Sequence, residues 1–427
     1  VEAAIPNHIL NKIDELWTEE VDFLQEISRF PSVSGKEKAL QAFLADYFIS
    51  ELDMDVDRFT PDVKEIADHP GFSPPEWGYE ESDVVIAKQA APEVPKGKSL
   101  IFQGHVDVVS PEPVSLWSSD PWVPVLRDGK MYGRGVADMK AGVTAMIFAY
   151  KAIKSAGYKP GAHFMLQSVV DEERTGNGAL SALAKGYTAD GALIPEPFGL
   201  RPAKAQVGSL WFRITINTAM KDESINQVVN VVERGTVIIS ALQKYEKMMN
   251  ERPKHSAFKD MPHPVDINIG TFHAGDFPSN VPVKAVMEGR VGLYPGQSVE
   301  AVKKELKEWV LEAADQDPWL AKQPPEITFF GFHAEGAVMD DQSVFFKTLD
   351  NAHETILQQP AERTVLSSTT DARFFNLYYD IPATCYGPEG GNFHEIDEWI
   401  DLQSVKQVTK VYAEFLSNWC GLISKES

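Results

Sequence analysis

Residues 133–173, GRGVADMKAGVTAMIFAYKAIKSAGYKPGAHFMLQSVVDEE, place a glycine-rich turn, a helix, a strand and an acidic strand end in one run. The apolar spacing from Lys140 to Ser155 predicts a helix, and Asp138 is delivered to its start by Gly133-Arg134-Gly135. The apolar run His163 to Val170 predicts a strand, which ends in Asp171-Glu172-Glu173. Three adjacent acids repel one another unless a cation or strong hydrogen bonds compensate. A helix feeding a strand, with chemistry-bearing side chains at both joints, points to an α/β protein.

Outward from this stretch the alternation continues. Short apolar runs at Asp83 to Ala87, Ser99 to Phe102 and Gly191 to Ile194 predict strands. The spacings Ile9, Ile13, Leu16, Val21, Leu24, Ile27 and Leu40, Phe43, Leu44, Tyr47, Phe48 predict two helices, each packing one face on a sheet. The pattern changes near Val207. Strands at Trp211 to Asn217, Val265 to Phe272, Val283 to Leu293 and Glu326 to Phe332 are expected there. With helices at Ile225 to Met249 and along Val299, Val302, Leu306, Val310 and Ala313, they predict a compact α+β unit inserted over 206–335. A helix near Gln342 to Leu357, a strand near Ile381 to Tyr386 and a helix from Leu402 to Trp419 return to the first unit. The main domain is therefore expected to be discontinuous, 1–205 and 336–427. Pro70, Pro74 and Pro75 predict a surface loop over Pro61 to Glu81.

Over 427 residues, 40 Lys+Arg stand against 62 Asp+Glu, a formal charge of −22. That argues against a nucleic-acid or anionic-membrane partner, because such affinity comes largely from Lys and Arg neutralising phosphates. No apolar run approaches the ~18 to 20 residues of a membrane span. Two cysteines, Cys385 and Cys420, are too few for a disulfide framework or a cysteine zinc site, so any metal would be held by His and carboxylates. Their scarcity favours a reducing compartment, and a cytoplasmic location is expected. The opening lacks an initiator Met and a basic, apolar leader, as expected of a processed or trimmed chain.

Five spots carry metal-type ligands after apolar runs, where open α/β sheets present their sites. They are Gly104-His105-Val106-Asp107, Gly133 to Lys140 with Asp138, Asp171-Glu172-Glu173, Pro195-Glu196-Pro197, and Gly390-Gly391-Asn392-Phe393-His394-Glu395. Each alone has a plain reading: a satisfied histidine, an N-cap aspartate, a solvated acidic turn, an exposed loop acid, a loop imidazole. Together and in this order they resemble the M20 metallopeptidase and deacylase family, which includes acetylornithine deacetylase, succinyl-diaminopimelate desuccinylase, aminoacylase and carboxypeptidase G. The resemblance covers most of the chain, and the 206–335 unit is similar in position to the family's lid and dimerisation domain.

The resemblance implies a zinc-hydrolase catalytic domain, with a central mixed sheet flanked by helices, and a smaller α+β lid. It implies two Zn2+, with Co2+ or Mn2+ as substitutes: His105 and Glu196 on one ion, Glu173 and His394 on the other, Asp138 bridging. Asp107 would orient His105, and Glu172 would be the general acid/base. Asn280, Arg290, Arg373 and Gly391 are the substrate contacts it suggests, with a structural salt bridge as the open alternative for either arginine. The activity implied is metal-assisted cleavage of the amide of an N-acyl amino acid, with a dipeptidase or carboxypeptidase acting on a short peptide as the alternative. A homodimer through the lid is implied too. One stretch departs from the family: Ile214 to Glu223 lacks the glycine and histidine that many lids carry, and Asp222 falls at the histidine position. A carboxylate facing an oxyanion repels it, so a catalytically weak or silent metal-bound binding protein is the reading from another class.

Overall fold

The computed structural model describes residues 7–217, 229–252 and 254–424. Its central sheet has six strands in the spatial order Asp55–Phe59, Val84–Gln89, Phe164–Val169, Leu100–His105, Ala192–Ile194, Ala383–Cys385. The first two junctions are antiparallel and the other three parallel, so the sheet is mixed. Leu100–His105 and Phe164–Val169 are buried at every position, as strands covered on both faces must be. The helix Ala141–Ser155 is buried almost all round, because it lies between the sheet and the helices Asn7–Ser28 and Leu402–Cys420. Gly142 sits where an added Cβ would come within 1.9 Å of the Pro195 carbonyl oxygen, so this helix approaches the strand end before Glu196 as closely as a backbone can.

A second, antiparallel sheet runs in the order Ile267–Ala274, Lys284–Leu293, Gly208–Asn217, Glu326–Ala334. Period-2 alternation turns Leu210, Phe212, Ile214 and Ile216 onto the helices Val231–Glu251 and Val299–Asp315, where they join Leu242, Tyr245, Leu306 and Val310 in a hydrophobic cluster of their own. The alternate residues, Trp211 among them, point away from those helices. The entry and exit of this unit lie side by side, since Gln206 pairs with Ala337. The helix expected from Ile225 starts at Val231, where the Asn230 side chain accepts the Val232 N–H; residues 225–228 lie outside the described residues.

Pro61 to Glu81 is more than a surface loop. It contains the short helix Val63–Ile66, and Ser73 and Tyr79 are buried. The Pro74 carbonyl accepts the Gly331 N–H, and the Ser73 hydroxyl oxygen accepts the His333 N–H. Glu76 takes both Nη atoms of Arg213 at 2.9 and 2.7 Å. The prolines confine regular structure to that short helix; the Pro74 carbonyl is satisfied by the second sheet, and the Ser73 N–H and carbonyl by the side-chain amide of Asn177. No helix among the described residues is long and apolar enough to cross a membrane.

Candidate active site

The parallel strands end at one edge of the central sheet, and there the sequence places His105, the acids 171–173 and Glu196. The His105 Nδ1–H donates to the main-chain carbonyl of Asp107 at 2.9 Å; a carbonyl only accepts, so Nδ1 keeps its proton and Nε2 is the nitrogen that faces the site, with a lone pair whenever the ring is neutral. That nitrogen lies 3.2 Å from Asp138 Oδ1, 3.6 Å from Glu196 Oε1 and 4.0 Å from Glu172 Oε2. His394 Nε2 lies 3.3 Å from Asp138 Oδ2 and 3.0 Å from Glu173 Oε2. Asp138 thus stands between two imidazoles, one oxygen toward each. It is not a helix N-cap, a position taken by Lys140.

Asp107 works differently from the expectation that its carboxylate orients His105. Its Oδ1 is 3.6 Å from Nδ1 and accepts the Glu172 N–H instead, while Oδ2 accepts the Glu173 N–H. Of the three adjacent acids, Asp171 turns away. It accepts from Tyr79 Oη at 2.6 Å, Trp77 Nε1 at 3.1 Å, Arg174 Nε at 3.0 Å and the Thr175 hydroxyl, and these donors answer the repulsion.

Glu398 is a residue the sequence reading missed. Buried beneath the 133–138 turn, it accepts the N–H groups of Gly135, Ala137 and Asp138 and pairs with Arg134 Nη1 at 2.7 Å. It follows His394 by four residues, so one loop both supplies an imidazole and holds the turn that presents Asp138. An acid just before the strand Trp399–Asp401 was the available signal.

The ionisation pattern is that of a site short of positive charge. Burial, reinforced by neighbouring acids, pushes Glu196 up to about 7 and raises Glu172 and Glu173. Burial acts on Asp138 in the same direction, but His105 and His394, one beside each of its oxygens, outweigh it and hold its carboxyl below the usual range. The charge of Glu173 lifts His394 to about 11. Burial opposes charging of His105, yet Asp138 and Glu196 raise it well above its ordinary value. His105 Nε2, Glu172 Oε1 and Glu173 Oε1 are buried without a hydrogen-bond partner, while the ligand atoms of His105, Asp138 and Glu173, and of His105, Glu172 and Glu196, lie within 4.8 Å of one another. Unpartnered ligand atoms gathered in two overlapping groups around His105 are what divalent cations need.

A cavity of about 710 Å³ opens over this cluster, between the central sheet and the second sheet. Of the four suggested substrate contacts only Arg290 lines it, with its fork on Asp266 at 3.1 and 2.8 Å. Arg373 is buried and donates to the carbonyls of Thr370 and Thr175, a brace across the loops behind the cluster, and lies 3.9 Å from Asp371. Asn280 is on an exposed turn, where Asp276 accepts from its amide. Gly391 pairs with Trp399, whose ring leaves no room for a Cβ, so its task is local strand pairing. Asp222 lies outside the described residues. Arg174, Trp211, Phe330 and Phe332 line the cavity and were not singled out by the sequence, because nothing local marks the face to which they turn.

Known proteins carry the same architecture. Over 378 residues the chain is 26% identical to N-formyl-4-amino-5-aminomethyl-2-methylpyrimidine deformylase of Bacillus subtilis, covering 82% of this chain and 86% of that one. Succinyl-diaminopimelate desuccinylase of Variovorax paradoxus is 26% identical over 342 residues, 75% of this chain and 81% of that one. Among solved structures, human carnosine dipeptidase 1 superposes with a TM-score of 0.76 at 16% identity, covering 97% and 99% of the two chains. An M20 family metallo-carboxypeptidase from Sulfolobus solfataricus does so with a TM-score of 0.70 at 19% identity, covering 94% and 99%. The sequence profile of peptidase family M20/M25/M40 matches residues 101–418, a span that runs from the strand before His105 past Glu398, and the chain belongs to that family.

Proposed function

We propose that the protein is a di-zinc hydrolase that cleaves the amide bond of an N-acyl amino acid, with Co2+ or Mn2+ able to replace zinc. The observation that carries this reading is Asp138, with one oxygen toward His105 and the other toward His394. His105 and Glu196 would hold one ion and Glu173 and His394 the other, with Asp138 between them. Imidazole and carboxylate oxygen suit zinc, and no thiolate ligand is required. When bound, such ions supply Lewis-acid polarisation of the amide carbonyl and acidify water.

The chain's own part is positioning and proton transfer. Glu172, with one buried oxygen free of partners and its acidity weakened by burial, takes a proton from water and hands it to the leaving amine. Asp107 fixes the backbone of Glu172 and Glu173 so that both carboxylates reach the cluster. The deformylase and desuccinylase relatives remove acyl groups from amines, which supports the deacylase reading. Cleavage of a short peptide is the second reading, favoured by a cavity with room for two residues.

In this reading residues 1–205 and 336–427 form the metal-binding domain and 206–335 a lid that also pairs two subunits into a homodimer, acting on small molecules in the cytoplasm. The separate hydrophobic clusters and the side-by-side ends of the insertion support the division. The test is turnover of N-acyl amino acids and dipeptides by metal-loaded protein, chelated protein and the Glu172→Gln variant. Expected are loss of hydrolysis on chelation, and a variant that keeps two metal equivalents but is slower by about 10²-fold or more. Hydrolysis that survives chelation would overturn the reading.

A further inference from the structure

We infer that the lid wall of the cavity selects a substrate carrying a large apolar, preferably aromatic, group beside the scissile amide, with Trp211 as the specificity-determining residue. This rests on the hydrolase reading above and names the substrate class of the same site.

The face of the second sheet that its helices leave uncovered presents Trp211, Phe330 and Phe332 to the cavity. Trp211 meets both phenylalanines edge to face, with ring centroids 5.6 Å apart in each pair. Its indole lies over Gly331, where a Cβ would come within 2.5 Å of the ring. Gly331 has φ +57°, and the register between Gly208–Asn217 and Glu326–Ala334 shifts at this point. The bulge and the missing side chain together seat the indole between its two neighbours.

The charges on this wall are already matched. Glu288, the acid that lines the lid side of the cavity among the described residues, pairs with Arg213 at 2.6 Å, and Arg213 is also held by Glu76. Arg290 is taken by Asp266. Among the described residues no spare lid carboxylate remains there to receive a substrate ammonium side chain, and beside the small polar groups of Ser209, Asn268 and Thr271 the large recognition surface of this wall is the aromatic cluster. Facing it, Phe198 follows the ligand Glu196 by two residues, and Phe393 immediately precedes His394; both line the cavity. The apolar surface therefore begins at the reacting centre. Aromatic walls on two sides accommodate a flat ring by offset or edge contacts.

The experiment compares N-acetyl-L-phenylalanine, N-acetyl-L-tryptophan, N-benzoylglycine, N-acetylglycine and N-acetyl-L-ornithine as substrates of the metal-loaded full chain. At least one aromatic amide should exceed N-acetylglycine and N-acetyl-L-ornithine in kcat/KM by about 10-fold or more. Trp211→Ala should collapse that ratio, chiefly through KM, and Trp211→Phe should restore part of it. An ornithine derivative hydrolysed as well as the best aromatic amide, or a ratio unchanged in Trp211→Ala, overturns the inference. Calorimetric binding of the same compounds to metal-loaded Glu172→Gln protein separates this from the hydrolase reading. Tighter binding of the aromatic members supports the pocket even if nothing is hydrolysed, and a flat ranking overturns it whether or not Trp211→Ala folds.

Discussion

The carboxylate of Asp107 holds the main chain of Glu172: Oδ1 accepts its N–H at 3.1 Å, and Oδ2 accepts that of Glu173 at 3.2 Å together with the Ser34 hydroxyl at 3.1 Å. One side chain at the end of Leu100–His105 thereby fixes the acids at the end of Phe164–Val169. In Asp107→Ala both acids should lose their register over the cluster. Metal affinity is expected to fall about 10- to 100-fold, as for other residues that orient metal ligands, with turnover falling further. Titration calorimetry with Zn2+ beside kcat checks this; affinity unchanged with turnover lost would assign Asp107 to the reaction itself.

Glu398 braces the opposite side of the site. Its carboxylate is buried with Arg134 and accepts three main-chain N–H groups. Glu398→Ala leaves Arg134 buried without its partner and should cost about 3–5 kcal/mol of stability. Urea unfolding measures this. Metal binding should weaken in the same variant because Asp138 loses its hold, and a fully stable Glu398→Ala would refute the assignment.

Far from the cluster, Glu20 gives stability a pH dependence. Burial pushes its carboxyl up to about 8 against a partial pull from the Thr409 hydroxyl and Lys406. Between its ordinary value near 4.5 and about 8, the folded chain keeps this proton and the unfolded chain has lost it. The unfolded state then binds fewer protons, so this group's contribution is complete below pH 4.5 and is lost as pH rises to about 8. Glu20→Gln removes the dependence. Its melting temperature should match the parent's in acid and exceed it increasingly up to that pH; a constant difference across the range would be the contrary result.

Gly331→Ala should destabilise the second sheet. Its φ of +57° is costly for any residue with a Cβ, and the new methyl would meet the Trp211 ring. A loss of about 1–3 kcal/mol is expected for the backbone strain. A quenched or shifted indole fluorescence should accompany it, and denaturant melts of the variant against the parent decide.

Much of this was legible in the residues themselves. The run from Asp138 to Glu173 set the helix and strand that flank the site, because a buried helix and a buried strand each demand a continuous apolar stretch that ends where the polar chemistry begins. His105, Asp138, Glu173, Glu196 and His394 stood out as ligand-type side chains after apolar runs, and the fold brings them together. Arg373 and Asn280 fit a motif equally well, yet one became a buried brace and the other an exposed turn residue, since a motif does not say which neighbours will satisfy a guanidinium or an amide.

Sequence alone determined the α/β order of elements, the inserted α+β unit and the residue types available to a metal, because apolar periodicity and ligand chemistry are local properties of the chain. Tertiary structure decided the rest. Only there does Glu398 reach the 133–138 turn from 260 or more positions away, does Asp107 turn its carboxylate to the acids instead of His105, and does the Pro61 to Glu81 loop join Asp171 to the second sheet. The physical reason is common to all three: a buried polar group takes whichever partner the packed chain places within hydrogen-bond reach, and sequence distance does not enter that choice.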